Sequence, residues 1–280
     1  MRLATLKDGR AVAILNERAV ALDDLGFKGS LQGLIEAGPD ALTRLQEALN
    51  GVRTGRAVKL EDYDAPLKRP SKVVAIGLNY LDHASESKME LPKNPLVFTK
   101  FPSSITGPRD PVVLPASLTE QVDYEVELGV VIGRVAKGVP EEQALAYVFG
   151  YTVLNDVSAR DLQFADGQWV RGKSLDTFCP MGPVIVTADD IPDPQALELG
   201  CEVNGETLQN ASTKDMIFGV AELISRLSQS FTLEPGDIIA TGTPSGVGFS
   251  RRPPLYLKPG DTMRTWVKGI GELVNPVVAA

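Results

Sequence analysis

The chain has 280 residues, 43% of them hydrophobic and 23% charged, which suffices for one substantial core or for one large domain with a small appendage. A net charge of -8, with no basic stripe or Lys/Arg cluster, argues against nucleic acid or an anionic membrane as partner. Two distant cysteines, Cys179 and Cys201, exclude a disulfide framework and a cysteine-rich zinc site. They fit a reducing home, and the N-terminus lacks the apolar segment of a signal peptide, so a cytoplasmic location is expected. No stretch approaches the ~20 apolar residues of a membrane span.

Residues 1–65 read as a small N-terminal unit. Short apolar runs at 3–6, 11–15 and 19–22 are separated by polar turns, the first at Asp8-Gly9. Helical spacing follows at 31–37 and 41–49, broken at Gly38-Pro39-Asp40. Residues 61–70 are polar and carry proline, so they read as a linker.

Residues 66–280 read as the larger unit. Strands are expected at 72–77, 96–101, 123–133, 148–153, 184–187 and 198–203. A short helix is expected at 141–146. The long amphipathic helix is placed at 215–229, with Met216, Val220, Leu223, Ile224 and Leu227 as its apolar stripe. Strands dominate and no βα alternation repeats, which predicts an α+β, mostly β architecture rather than a Rossmann fold or a TIM barrel.

The strand beginning Asp123-Tyr124-Glu125-Val126-Glu127-Leu128 draws attention. Alternation along a strand puts Glu125 and Glu127 on one face. Such a pair is tolerated in solvent or around a cation, and a hard divalent ion takes oxygen ligands of this kind. Asp156 ends the next strand and supplies a third carboxylate, although an Asp before Val157-Ser158 also suits a turn. His83 is the one histidine of the chain and stands three residues before Glu86, a spacing that pairs them on a helix. A carboxylate beside imidazole suits a general base, and a solvated surface pair has the same spacing. Arg160, Gln163 and Lys173 offer positive charge and donors for an anion, or are surface groups. The tract from Thr241 to Gly248 lacks a phosphate-loop lysine, which excludes that mode of nucleotide binding. Its glycines would let backbone and the Thr243 hydroxyl approach a small ligand, unless it is a plain turn.

In order, Gly77-Leu78-Asn79-Tyr80 with His83 and Glu86, the 123–128 strand, Asn155-Asp156-Val157-Ser158-Ala159-Arg160-Asp161, Arg171-Gly172-Lys173-Ser174, Pro235-Gly236-Asp237 and Thr241-Gly242-Thr243-Pro244 resemble the fumarylacetoacetate hydrolase family over roughly residues 72–275. The run from Asp176 to Pro183 is most similar to the branch holding mitochondrial domain-containing relatives and 2-hydroxyhepta-2,4-diene-1,7-dioate isomerase-like members. The resemblance implies a β-roll, a homodimer and an Mg²⁺ or Mn²⁺ site, with Ca²⁺ as a substitute. It implies Glu125, Glu127 and Asp156 as metal ligands and His83 with Glu86 as an acid–base dyad. Lys173 is implied as catalytic, and Arg160, Gln163, Thr243 and Lys100 as substrate-binding.

The function implied is enolate chemistry on a 2,4-dioxo acid or 2-oxo dicarboxylate. Acylpyruvate-type C–C hydrolysis leads, and oxaloacetate decarboxylation or tautomerisation shares the same ion and enolate. Rival expectations are an isomerase or decarboxylase of hydroxymuconate-type diacids, a 2,4-diketo-3-deoxy sugar acid hydrolase, and a non-catalytic binding relative. The last has no need for three clustered carboxylates.

Overall fold

The computed structural model describes residues 1–86 and 91–280, with backbone alone at 84 and 85. The chain opens with β1 (Arg2–Thr5), β2 (Ala11–Leu15) and β3 (Arg18–Ala21), a meander that turns at Gly9 and again at Asn16-Glu17. Helix α1 (Leu31–Glu36) starts where the Ser30 side chain accepts from the Gly33 amide, and α2 (Pro39–Leu49) starts on proline. The short β4 (Arg56–Ala57) returns to β3. Residues 61–70 follow closely packed, with Tyr63, Ala65 and Leu67 buried and the Lys7 amide donating to the Asp62 carbonyl.

Next come β5 (Val73–Gly77), α3 (Leu81–Glu86) and β6 (Leu96–Lys100), then the short strands β7 (Ile105–Thr106), β8 (Val112–Leu114) and β9 (Val122–Asp123). The central hairpin is β10 (Val126–Ile132) and β11 (Val148–Asn155), with the expected short helix between them present as a 3-10 turn at Glu141–Tyr147. After β12 (Ser158–Ala159) lie α4 (Arg160–Ala165) and α5 (Val170–Lys173). The remainder is β13 (Cys179–Thr187), β14 (Glu198–Val203), β15 (Glu206–Ser212), α6 (Val220–Ser230), β16 (Ile238–Ala240), β17 (Thr262–Val267) and β18 (Gly271–Ala279).

Among the described residues the largest sheet has the order β4-β3-β2-β1-β13-β11-β10-β16-β5-β6, with β7 beside β13. A second sheet has the order β15-β14-β17-β18-β8, and β9 pairs with β12. Most neighbours are antiparallel; β5 with β16, β7 with β13 and β8 with β18 are parallel. This is the mostly β architecture expected.

The period of two decides which side chain goes to which face. Val73, Ala75, Val131, Leu154 and Ile185 face Leu31, Leu34, Ile35 and Leu45 of the N-terminal helices. Val74, Ile76, Val130, Ile132 and Val153 face the other way, where the second sheet adds Leu199, Met263 and Leu273 and α6 adds its stripe. Helix α6 begins at Val220 rather than 215. The Asn79 side chain clamps the Phe218 amide and carbonyl, and Met216 bridges to Tyr80, which keeps this stretch extended up to the Gly219 cap.

Candidate active site

The site grows from the register of β10 and β11. Val126 lies opposite Asn155 and Glu127 opposite Leu154. Beyond the last paired residues, the Asp156 amide donates to the Glu125 carbonyl at 2.9 Å, and the Glu125 amide donates to Asn155 Oδ1 at 3.0 Å. These bonds bring Asp156 beside Glu125. Glu125, Glu127 and Asp156 each offer a carboxylate oxygen, and the three oxygens lie within 4.8 Å of one another. All three residues are buried, so the solvated-edge alternative is excluded.

Burying like charges together costs several kcal/mol per ion unless partners compensate. Most of that compensation is visible. Lys173 Nζ stands 2.7 Å from both Glu125 Oε2 and Asp156 Oδ2. Arg160 spreads its guanidinium over Glu125 Oε1 at 2.6 Å, Asp123 Oδ2 at 2.8 Å and Gln163 Oε1 at 2.9 Å. Lys100 donates to Asp156 Oδ1 at 2.6 Å, to the Val157 carbonyl at 3.2 Å and to the Lys173 carbonyl. Burial opposes ionisation of Glu125, yet Lys173 and Arg160 hold its carboxyl well below the usual range.

Glu127 is the exception. Among the described residues its side chain accepts only the Gly242 amide, at 2.8 Å. Burial, with Asp156 and Glu125 close by, pushes its carboxyl well above the ordinary value. Three hard oxygen donors, one of them without a cationic partner, could hold a hard divalent cation. Two glycines make the arrangement feasible. Gly242 has φ +97, and a Cβ there would stand 2.7 Å from the Asn79 Cβ. At Gly172 a Cβ would meet the Gln163 amide at 2.6 Å, so glycine lets α5 approach α4 and bring Lys173 inward.

His83 and Glu86 do lie on one helix, α3. The imidazole Nδ1 is 3.6 Å from Glu86 Oε2, beyond hydrogen-bond reach, and this buried nitrogen has no other partner among the described residues. Glu86 itself accepts from the Gly246 amide at 3.1 Å. Against its burial, His83, the Ser250 hydroxyl and that amide hold its carboxyl below the usual range.

One pocket gathers His83, Glu125, Arg160, Gln163, Lys173 and Thr243. Its walls are aromatic: Phe98 meets Trp169 edge-on at 5.3 Å, and Phe164 meets Phe249 at 5.6 Å. Of the three clustered carboxylates, Glu125 lines this pocket and Glu127 and Asp156 do not. Lys100 has protein acceptors for all three ammonium protons and does not line the pocket.

Three residues in the site had no role assigned from sequence. Asp123 accepts from Arg160 and from the Gly248 and Phe249 amides. Its period-two spacing from Glu125 is the signal that would have found it. Asn79 bonds to Phe218 and Thr241, and Gln209 to Val126, Thr243 and Pro244, all far away in sequence, and spacing carries no trace of that.

Residues 72–278 match the fumarylacetoacetate (FAA) hydrolase C-terminal family model. The chain belongs to the fumarylacetoacetate hydrolase family. It is 46% identical over 245 residues to the mitochondrial oxaloacetate tautomerase Fahd2a of Rattus norvegicus, covering 85% of this chain and 78% of that one. Among solved structures, the fumarylacetoacetate hydrolase of Exiguobacterium antarcticum is 39% identical with a TM-score of 0.85, and all of each chain is covered. Maleylpyruvate hydrolase of Sphingobium sp. SYK-6, solved with manganese (II) and pyruvate, is 33% identical with a TM-score of 0.84, again over all of each chain.

These likenesses establish the family's fold and an enzyme of that family. They also correct the expected location: relatives from rat, cattle and frog are mitochondrial proteins, which overturns the cytoplasmic assignment. The two free thiols are buried in the core. Unpaired cysteines indicate reducing surroundings, and the cytoplasm is not alone in that.

Proposed function

We propose that this enzyme acts on a small 2-oxo acid through its enolate, and that its reaction is the enol–keto interconversion of oxaloacetate. The observation that carries this reading is the trio of buried carboxylate oxygens within 4.8 Å beside Lys173. The curated relatives named for oxaloacetate tautomerisation support the substrate. Glu125, Glu127 and Asp156 would hold Mg²⁺ or Mn²⁺, which would polarise the 2-oxo group and offset the charge developing there.

The chain's own residues do the rest. Lys173 offsets the negative charge of the substrate carboxylate. Arg160 and Lys100 fix Glu125 and Asp156 in place. His83, which lines the pocket while its Nδ1 faces Glu86, takes the proton from the carbon next to the 2-oxo group and returns it to the oxygen.

A second reading is C–C hydrolysis of a 2,4-dioxo acid, in which His83 takes its proton from water instead. The place of His83 in the pocket wall and the maleylpyruvate hydrolase solved with pyruvate favour it. The proposal includes a catalytic unit at 66–280, an N-terminal unit at 1–65 and a homodimer. Strand β6 ends the large sheet and leaves Leu96, Val97 and Phe101 exposed, apolar surface that a second copy would cover.

The test is turnover of oxaloacetate and acetylpyruvate side by side, in the native enzyme and in His83→Ala. The substitution is expected to lower tautomerisation and hydrolysis by about 100-fold or more. Decarboxylation releases CO₂ and leaves an enolate that solvent can protonate, so it needs no activated water and is expected to stay within about tenfold. Equal loss of all three would place His83 in substrate binding instead.

A further inference from the structure

We propose that Gln209 is a positioning residue that fixes the Thr243 hydroxyl as a hydrogen-bond donor into the substrate pocket. The inference rests on the pocket being a 2-oxo acid site. Gln209 lies on β15 in the second sheet, 1% exposed, and none of the chemistry above uses it.

Its amide orientation is dictated by its neighbours. The Val126 amide needs an acceptor and finds Gln209 Oε1 at 3.0 Å. The Pro244 carbonyl needs a donor and finds Gln209 Nε2 at 2.9 Å. A flipped amide would set donor against donor and acceptor against acceptor. The second proton of Nε2 therefore goes to Thr243 Oγ1, at 2.8 Å. That makes the hydroxyl an acceptor toward Gln209 and leaves its own proton to give. Among the described residues no acceptor takes that proton, and Thr243 lines the pocket. A carboxylate or 2-oxo oxygen is the group it would meet.

The same side chain ties together two separate parts of the site. Val126 sits between Glu125 and Glu127, and Pro244 follows Thr243. One amide thus hydrogen-bonds to both the carboxylate strand and the donor loop.

The experiment compares steady-state kinetics with oxaloacetate, together with Mn²⁺ and pyruvate binding, in six variants. Thr243→Val is expected to raise KM about tenfold with kcat within about threefold, and Thr243→Ser to stay within about twofold. Gln209→Glu has no proton to give and would draw the Thr243 proton to itself, so it is expected to raise KM about tenfold. Combined with Thr243→Val it should add nothing further, with Mn²⁺ affinity unchanged. Should Gln209→Glu fail to fold, Gln209→Met frees the hydroxyl to rotate and is expected to raise KM about threefold, again with no effect in the Thr243→Val background. An unchanged KM, or effects at 209 and 243 that simply multiply, would overturn the proposal while native turnover leaves the substrate reading standing. Native enzyme that neither turns over oxaloacetate nor binds pyruvate would overturn both.

Discussion

The two ends of β10 are buried alike and for opposite reasons. Every residue from Val126 to Ile132 is buried, and so is Glu125 just before it. At the far end Val130, Val131 and Ile132 pack against apolar neighbours on both faces. Each such side chain contributes about 1.5–3 kcal/mol by leaving water. At the near end burial costs energy. Four carboxylates, Asp123, Glu125, Glu127 and Asp156, meet three cations, Lys100, Lys173 and Arg160. The shortfall falls on Glu127. Packing the same strand thus builds a rigid support at one end and a standing demand for positive charge at the other.

Breaking the charged end should have the largest effect. Arg160→Met leaves Asp123 and Glu125 buried without their shared partner, and is expected to cost about 3–5 kcal/mol in urea unfolding. A loss below about 1 kcal/mol would mean that these carboxylates are compensated elsewhere. Glu127→Gln should separate stability from function. It removes the under-compensated charge, so the thermal midpoint is expected to hold or rise, while metal-dependent turnover falls about 100-fold or more. A lowered midpoint would show that Glu127 is a structural partner rather than a ligand. At the apolar end, Ile132→Val should cost only about 0.5–1.5 kcal/mol and leave kcat/KM unchanged. Any effect on turnover would show that the two ends are mechanically linked.

The apolar end was legible in the sequence, because period-two alternation and strand-forming residues report burial directly. The helix stripe of Val220, Leu223, Ile224 and Leu227 was legible too, and its start was not, since Asn79 holds Phe218 extended from 139 residues away. The pairing of Leu3 with Ile185, which joins β1 to β13, leaves no local signal either. The carboxylates, the histidine and Lys173 could be read from their ordered motifs. What each cation touches could not. Lys100 and Lys173 both look like pocket lysines in sequence, but only Lys173 lines the pocket, while Lys100 spends its three protons on Asp156 and two carbonyls. Asp123 and Gln209 act by holding other groups, and such roles exist only once the loops have met.

The central claim is that the carboxylates at the head of β10 hold a divalent ion that the chemistry needs. The most direct test is oxaloacetate tautomerisation by the native enzyme with Mg²⁺, with Mn²⁺ and with EDTA. Loss of turnover in EDTA, and its return with either ion, is the predicted result. Full turnover in EDTA, from protein that takes up no divalent ion, would contradict the account.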